Sequence, residues 1–416
     1  MPRNNAFEHQ TYPTVPTVEP LVQAVELQAA DAVDFSRLHS EFGISHIELV
    51  HGTFAGTDPF GIHALMRSLI ADASPTLQLA LTPVIARLEE QTKKFTETVT
   101  ADIANFNETF RARFQELAGE ELIVSRPEPT WSSENTHLAR AALAVRLLCR
   151  LDDLQNQGLD PQFDRVMFWG HSHAGNGMAL LTNLLANDPR SVAAFFAAAG
   201  EALGEDGRRA REILSRHDGP HPMARSLIIV TFGTPVRYGW DVTGCRQLLH
   251  ITHHRPVDEH QPAQTVPAVH SPSGDEAGFG AVVTSLQQTV FDALLARHGD
   301  WVQTFAIAGT DLQPTVNREA NQSLGEYLER NLPNATPQSI KERLPIVRGR
   351  WKTATRLHTD GQNLLLTYPP TRLTRFGNAH QSVFGHGVYT RTEWLPAHVG
   401  LLMQQLQRPG EDAQIQ

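Results

Sequence analysis

Cysteine is nearly missing from this chain: 416 residues contain two, Cys149 and Cys245. Two thiols build neither a disulfide framework nor a cysteine-rich zinc site, so a reducing compartment, the cytoplasm, is the expectation. Long apolar runs are missing too. No stretch approaches the roughly 18–20 apolar residues of a membrane span, so no integral membrane segment is expected. The opening MPRNNAFEHQTYPTVPTVEP has no apolar core of signal-peptide length. Basic charge is in deficit: 35 Lys and Arg against 45 Asp and Glu leave a formal net charge of −10. That balance supplies no phosphate-neutralising surface, which argues against a nucleic-acid partner. No internal repeat is evident.

What the chain does have is short apolar runs alternating with helical patterns, the signature of an α/β protein with a doubly wound, mostly parallel sheet. Strands are expected at HIELV (46–50), ELIVS (121–125), RVMFW (165–169), SLIIVTF (226–232), VQTFAIAG (302–309) and NLLLTY (363–368). Helices are expected over 136–154, 176–188 and 394–406. Residues 1–20, with four prolines, read as an extended segment, 21–408 as one α/β domain, and 409–416 as a polar tail. Two insertions interrupt the rhythm, at about 57–120 and about 246–300. In the first, Phe95, Val99, Ile103, Phe106, Phe110, Phe114 and Leu117 recur at helical spacing. Such a stripe packs on the protein body or lines a lid. The second is rich in Pro, His and Gly and reads as a long excursion.

Chemistry concentrates in RVMFWGHSHAGNGMALL (165–181). An apolar strand runs into a sharp turn bearing Ser172, and a helix-forming run leads out. A nucleophile at such an elbow adopts a strained conformation that requires small residues two places before and after it. Gly170 and Ala174 meet that need, alanine being a mild departure from the commoner glycine. Acyl transfer further needs two N–H donors where the oxyanion forms. One is expected from His173, immediately after the serine. The other is expected from the turn in HIELVHGTFAG (46–56), at Thr53 or its neighbour Phe54. The His171 and His173 side chains are expected to flank the serine without serving as its base.

VHGTFAG and WGHSHAGN together resemble the serine lipases and esterases of the α/β-hydrolase superfamily. TWSSENTHLARAALAVRLL (130–148) is similar to the W-S-x-x-N-x-H…R segment of an uncharacterised branch with HGT and HSHGGN motifs. The resemblance spans about 44–406 but is specific only in these short motifs. It implies a Ser–acid–His triad and ester hydrolysis without a cofactor. It also implies the chain order serine, acid, histidine, the acid after a late strand and the histidine after the last. Asp311, at the end of VQTFAIAGTD, then becomes the expected acid, with Asp241 the rival one strand earlier. His386, between Gly385 and Gly387, is the favoured base and His380 the alternative.

Other features carry their own readings. LLHITHHRPVDEH offers His250, His253, His254 and His260, but a strand would not converge them as metal ligands, so no metal site is expected. In TWSSENTH, Trp131 is placed at the pocket mouth as a support for the oxyanion turn, and Ser133 or Asn135 as a helix cap. The expected partner is a small-molecule or lipid ester. An acyltransferase or amidase on the same triad, and a catalytically silent binding protein, are the competing functions. Oligomeric state is not encoded in these patterns.

Overall fold

The computed structural model describes residues 21–27, 33–52, 106–125, 131, 134–256, 296–307, 314, 316–329, 347, 349, 351, 356, 359–369 and 385–406. In these, seven strands form one sheet: β1 (Leu21–Glu26), β2 (Ile44–Val50), β3 (Ile123–Ser125), β4 (Arg165–His171), β5 (Leu227–Phe232), β6 (Gln247–His253) and β7 (Gln362–Thr367). Their order is β1-β7-β6-β5-β4-β2-β3, and every pair is parallel. The helices are α1 (Arg37–Ser40), α2 (Glu108–Ala118), α3 (His137–Asn156), α4 (Ala174–Ala186), α5 (Pro189–Ala199), α6 (Gly204–Ser215), α7 (Trp301–Ala306), α8 (Arg318–Glu329) and α9 (Leu395–Gln405). This is an α/β fold with helices flanking a parallel sheet.

Strand chemistry explains the layering. Every residue of β4 and β5 is buried, as expected where helices cover both faces and water reaches neither. Side chains alternate between faces along a strand. Val166, Phe168, Leu227 and Ile229 therefore join a core with α3, α4, α5, α6 and α8. Met167, Trp169, Ile228, Val230 and Phe232 join a second core with α2 and α9.

The chain leaves β2 for β3 on one side and leaves β4 for β5 on the other. That reversal between β2 and β4 opens a crevice beyond the carboxyl ends of the strands, where open parallel sheets hold their sites. Gly52 follows β2 and Ser172 follows β4, so both border this crevice.

Several expectations need adjusting. The strand expected at 302–309 is not there: residues 302–306 belong to the short helix α7. The late strand of the sheet is instead β6, so the excursion begins after His253 and not near residue 246. Strand β1 and helices α5, α6 and α8 had no counterpart in the sequence reading. The described part of the phenylalanine stripe is core: Phe106, Phe110 and Phe114 are fully buried, and all three rings lie against Trp169. Phe95, Val99 and Ile103 lie outside the described residues, as do residues 1–20 and 409–416.

Candidate active site

Ser172 has φ +54°, a left-handed conformation that a side chain adopts only against an opposing cost of about 1–3 kcal/mol. The surroundings hold it there. Its N–H still donates to the Phe232 carbonyl at 2.8 Å, continuing the β4–β5 ladder one residue past the strand. Its carbonyl accepts from the Thr234 hydroxyl at 2.8 Å and from the Gly175 N–H at 3.1 Å. His173 is the N-cap of α4, so its N–H stands at the positive end of that helix. At Gly170, a Cβ would come within 2.6 Å of the Met178 sulfur, so a larger residue there would push the Met178 side chain aside.

The turn after β2 closes one wall of the crevice. A Cβ on Gly52 would lie 2.7 Å from Ser172 Cβ and 3.1 Å from His171 Nδ1. The Trp131 indole N–H donates to the His51 carbonyl at 2.9 Å, and the two rings stack at 6.0 Å. Trp131 therefore does support this turn. The cap of α3, however, is Thr136, whose side chain accepts from the Ala139 N–H. Asn135 instead accepts from Arg140, and Ser133 lies outside the described residues. Thr53 and Phe54 also lie outside them.

His386 is fully buried, and its Nδ1 is 2.7 Å from Asp300 Oδ2. Both residues flank Gly233, the residue after Phe232: a Cβ there would meet Asp300 Oδ2 at 2.6 Å and His386 Cε1 at 3.0 Å. The serine's backbone partner and the histidine's ring thus share one turn. The His171 and His386 rings stand 4.6 Å apart, and His171 Nε2 is 3.2 Å from the His386 carbonyl oxygen. Among the described residues, His386 Nε2 has no hydrogen-bond partner. With Nδ1–H given to the carboxylate, Nε2 carries a lone pair.

Asp300 is the carboxylate that the structure places against His386, and no motif in the sequence points to it as the acid. Its Oδ2 also accepts from the Tyr389 hydroxyl at 2.8 Å, while Oδ1 accepts from the Gln303 N–H at 2.8 Å, capping α7. The Tyr389 hydroxyl in turn accepts from the His253 N–H at 2.7 Å, which aims its proton at the carboxylate. Burial, reinforced by the Asp300 charge, holds the Tyr389 phenol well above its ordinary range. Asp311 and His380 lie outside the described residues. Asp241 accepts from the Thr243 N–H and hydroxyl at 2.9 and 2.6 Å, a turn cap away from His386.

The histidines of β6 fasten loops. His250 contacts the Thr231 hydroxyl at 2.7 Å and the Asp360 carbonyl at 3.0 Å. His253 Nδ1 reaches the Gly385 carbonyl at 3.0 Å, beside the His386 backbone. Burial first, then the nearby Arg255, pushes its pKa down to about 3, so this ring is neutral and donates.

Set against known proteins, the chain matches no family model, no curated protein and no solved structure. Its site is therefore read from geometry alone.

Proposed function

We propose that the chain is a serine hydrolase of the α/β-hydrolase type, cleaving carboxylic esters through an acyl-enzyme on Ser172. The observation that carries this reading is the pairing of a strained serine at a strand–helix elbow with a buried Asp300–His386 couple at the same Gly233 turn. The acid in this reading is Asp300, after β6, and the base is His386, after β7. The order Ser172, Asp300, His386 agrees with the order the resemblance implies.

In the reaction, Ser172 Oγ attacks the ester carbonyl carbon and its proton passes to His386 Nε2. Asp300 accepts from Nδ1–H throughout, fixing the tautomer that leaves Nε2 basic and stabilising the imidazolium that forms. The oxyanion is held by the His173 N–H at the start of α4 and by the N–H of Thr53, the residue after Gly52 in the chain. Collapse expels the alcohol, which takes the proton from His386. A water then attacks the acyl-enzyme with His386 again as base, releasing the acid and Ser172.

A fluorophosphonate probe tests this directly. A single adduct on Ser172, absent from Ser172→Ala, together with turnover of p-nitrophenyl esters, is the expected result. Folded protein that takes no label and turns over no ester would abandon the reading in favour of a silent binding protein. Labelling with turnover of amides or of acyl acceptors only would redirect it to an amidase or acyltransferase.

A further inference from the structure

Arg356 is buried, yet among the described residues no carboxylate contacts it. Its guanidinium instead gathers uncharged oxygens around the acid. Nη1 donates to the Asp300 carbonyl at 2.9 Å, to Gln303 Oε1 at 3.3 Å and to the Thr304 hydroxyl. Nη2 donates to the His253 carbonyl at 3.1 Å and to the His298 carbonyl. One planar fork thus fastens the end of β6, the segment returning at 298–300 and the first turn of α7. The Trp351 ring lies 5.9 Å from the guanidinium carbon and closes this side.

A buried guanidinium is costly without an ion-pair partner, so its charge is met here by the oxygens gathered around it. The two Asp300 oxygens are taken by His386, Tyr389 and the Gln303 N–H. Burial lowers the Arg356 pKa from its ordinary value, and the nearby Asp300 charge opposes that shift. A direct ion pair would have drawn the carboxylate off the imidazole. Binding the carbonyl leaves it aimed at His386.

We propose that Arg356 is a positioning residue of the ester-cleaving site, holding the Asp300 backbone so that its carboxylate stays aimed at His386 and placing a positive charge beside that couple. This rests on the serine-hydrolase reading above. The other titratable or charged groups facing the pair are His386, Tyr389 and Tyr368 from β7 and the segment after it, and His253, His254 and Arg255 at the end of β6. Removing a buried cation favours the protonated form of titratable groups beside it, so the acid limb of the rate profile moves to higher pH.

The test compares Arg356→Met and Arg356→Lys with wild type in the full chain. It measures Ser172 labelling rate, ester kcat and KM across about pH 5–9, and the fraction of titratable sites. For Arg356→Met, an acid limb displaced upward by about one pH unit, and kcat lowered about tenfold per active site with KM unchanged, is expected. Arg356→Lys keeps the charge but cannot fork across the carbonyls, so its limb should stay in place while kcat falls modestly. A folded Arg356→Met with an unmoved limb, whose loss only tracks the fraction of active sites, would reduce Arg356 to a structural strut. If the Met variant does not fold, a Lys variant with wild-type kcat overturns the proposal and a lowered kcat at unmoved limb upholds it. Absence of Ser172 labelling in wild type would fail the hydrolase reading itself, a distinct outcome.

Discussion

Asp300 carries three hydrogen bonds on two oxygens, and the one to His386 is the one chemistry needs. Asp300→Asn presents an amide that cannot stabilise an imidazolium, so kcat should fall by about 10⁴ while Ser172→Ala in the same background adds little. Asp311→Asn should remain near wild type; the reverse ranking would move the acid to Asp311. Trp131→Phe keeps an aromatic ring and removes the donor to the His51 carbonyl, loosening the segment after β2 that the hydrolase reading assigns to the oxyanion. Its kcat should fall about tenfold at unchanged KM, since oxyanion contacts act in the transition state. Ser172, His173 and His386 were legible because their glycine and alanine neighbours mark a tight turn. Asp300 was not, although Asp300-x-x-Gln303 ahead of an apolar run is the pattern of a helix N-terminus.

Helix α7 shows why that pattern went unread. Trp301 to Ala306 are buried on every side, so the segment lacks the polar stripe that gives a helix its 3.6-residue period. A short apolar run of that kind reads equally as a buried strand. Helix α3, by contrast, keeps polar positions along its length and matched expectation closely. Where α3 meets α4 the fit is tight: a Cβ on Gly177 would lie 2.6 Å from Leu143 Cδ2. Gly177→Ala should therefore destabilise the fold by about 1–3 kcal/mol, measured by chemical denaturation, despite alanine's better helix propensity. A neutral or stabilising result would mean that α3 and α4 can slide apart without loss.

At the scale of the whole molecule, four buried histidines among the described residues are held neutral, chiefly by desolvation: His221 and His250 near pKa about 4, His253 and His398 near about 3. Their ordinary value is 6.5, so between that pH and their folded values the unfolded chain binds protons that the native one refuses. Stability is therefore full above about pH 6.5 and falls as pH drops towards 3–4, by up to about 1.4 kcal/mol per pH unit for each ring. Thermal denaturation between about pH 4 and 8 checks this; a midpoint flat across that range would show that the rings are accessible to protons in the native state.

Strand β1 has a consequence in time. Among the described residues it pairs with β7 alone, with Leu21 opposite Gln362. On a ribosome adding about 5–20 residues per second, the first strand waits tens of seconds for its neighbour to be made. Over that interval it has no ladder to join, and the histidine loop beyond β7 does not yet exist. Ser172 is thus made long before His386, and in the hydrolase reading proposed above the order of synthesis keeps the nucleophile without its base until β7 and the segment after it exist.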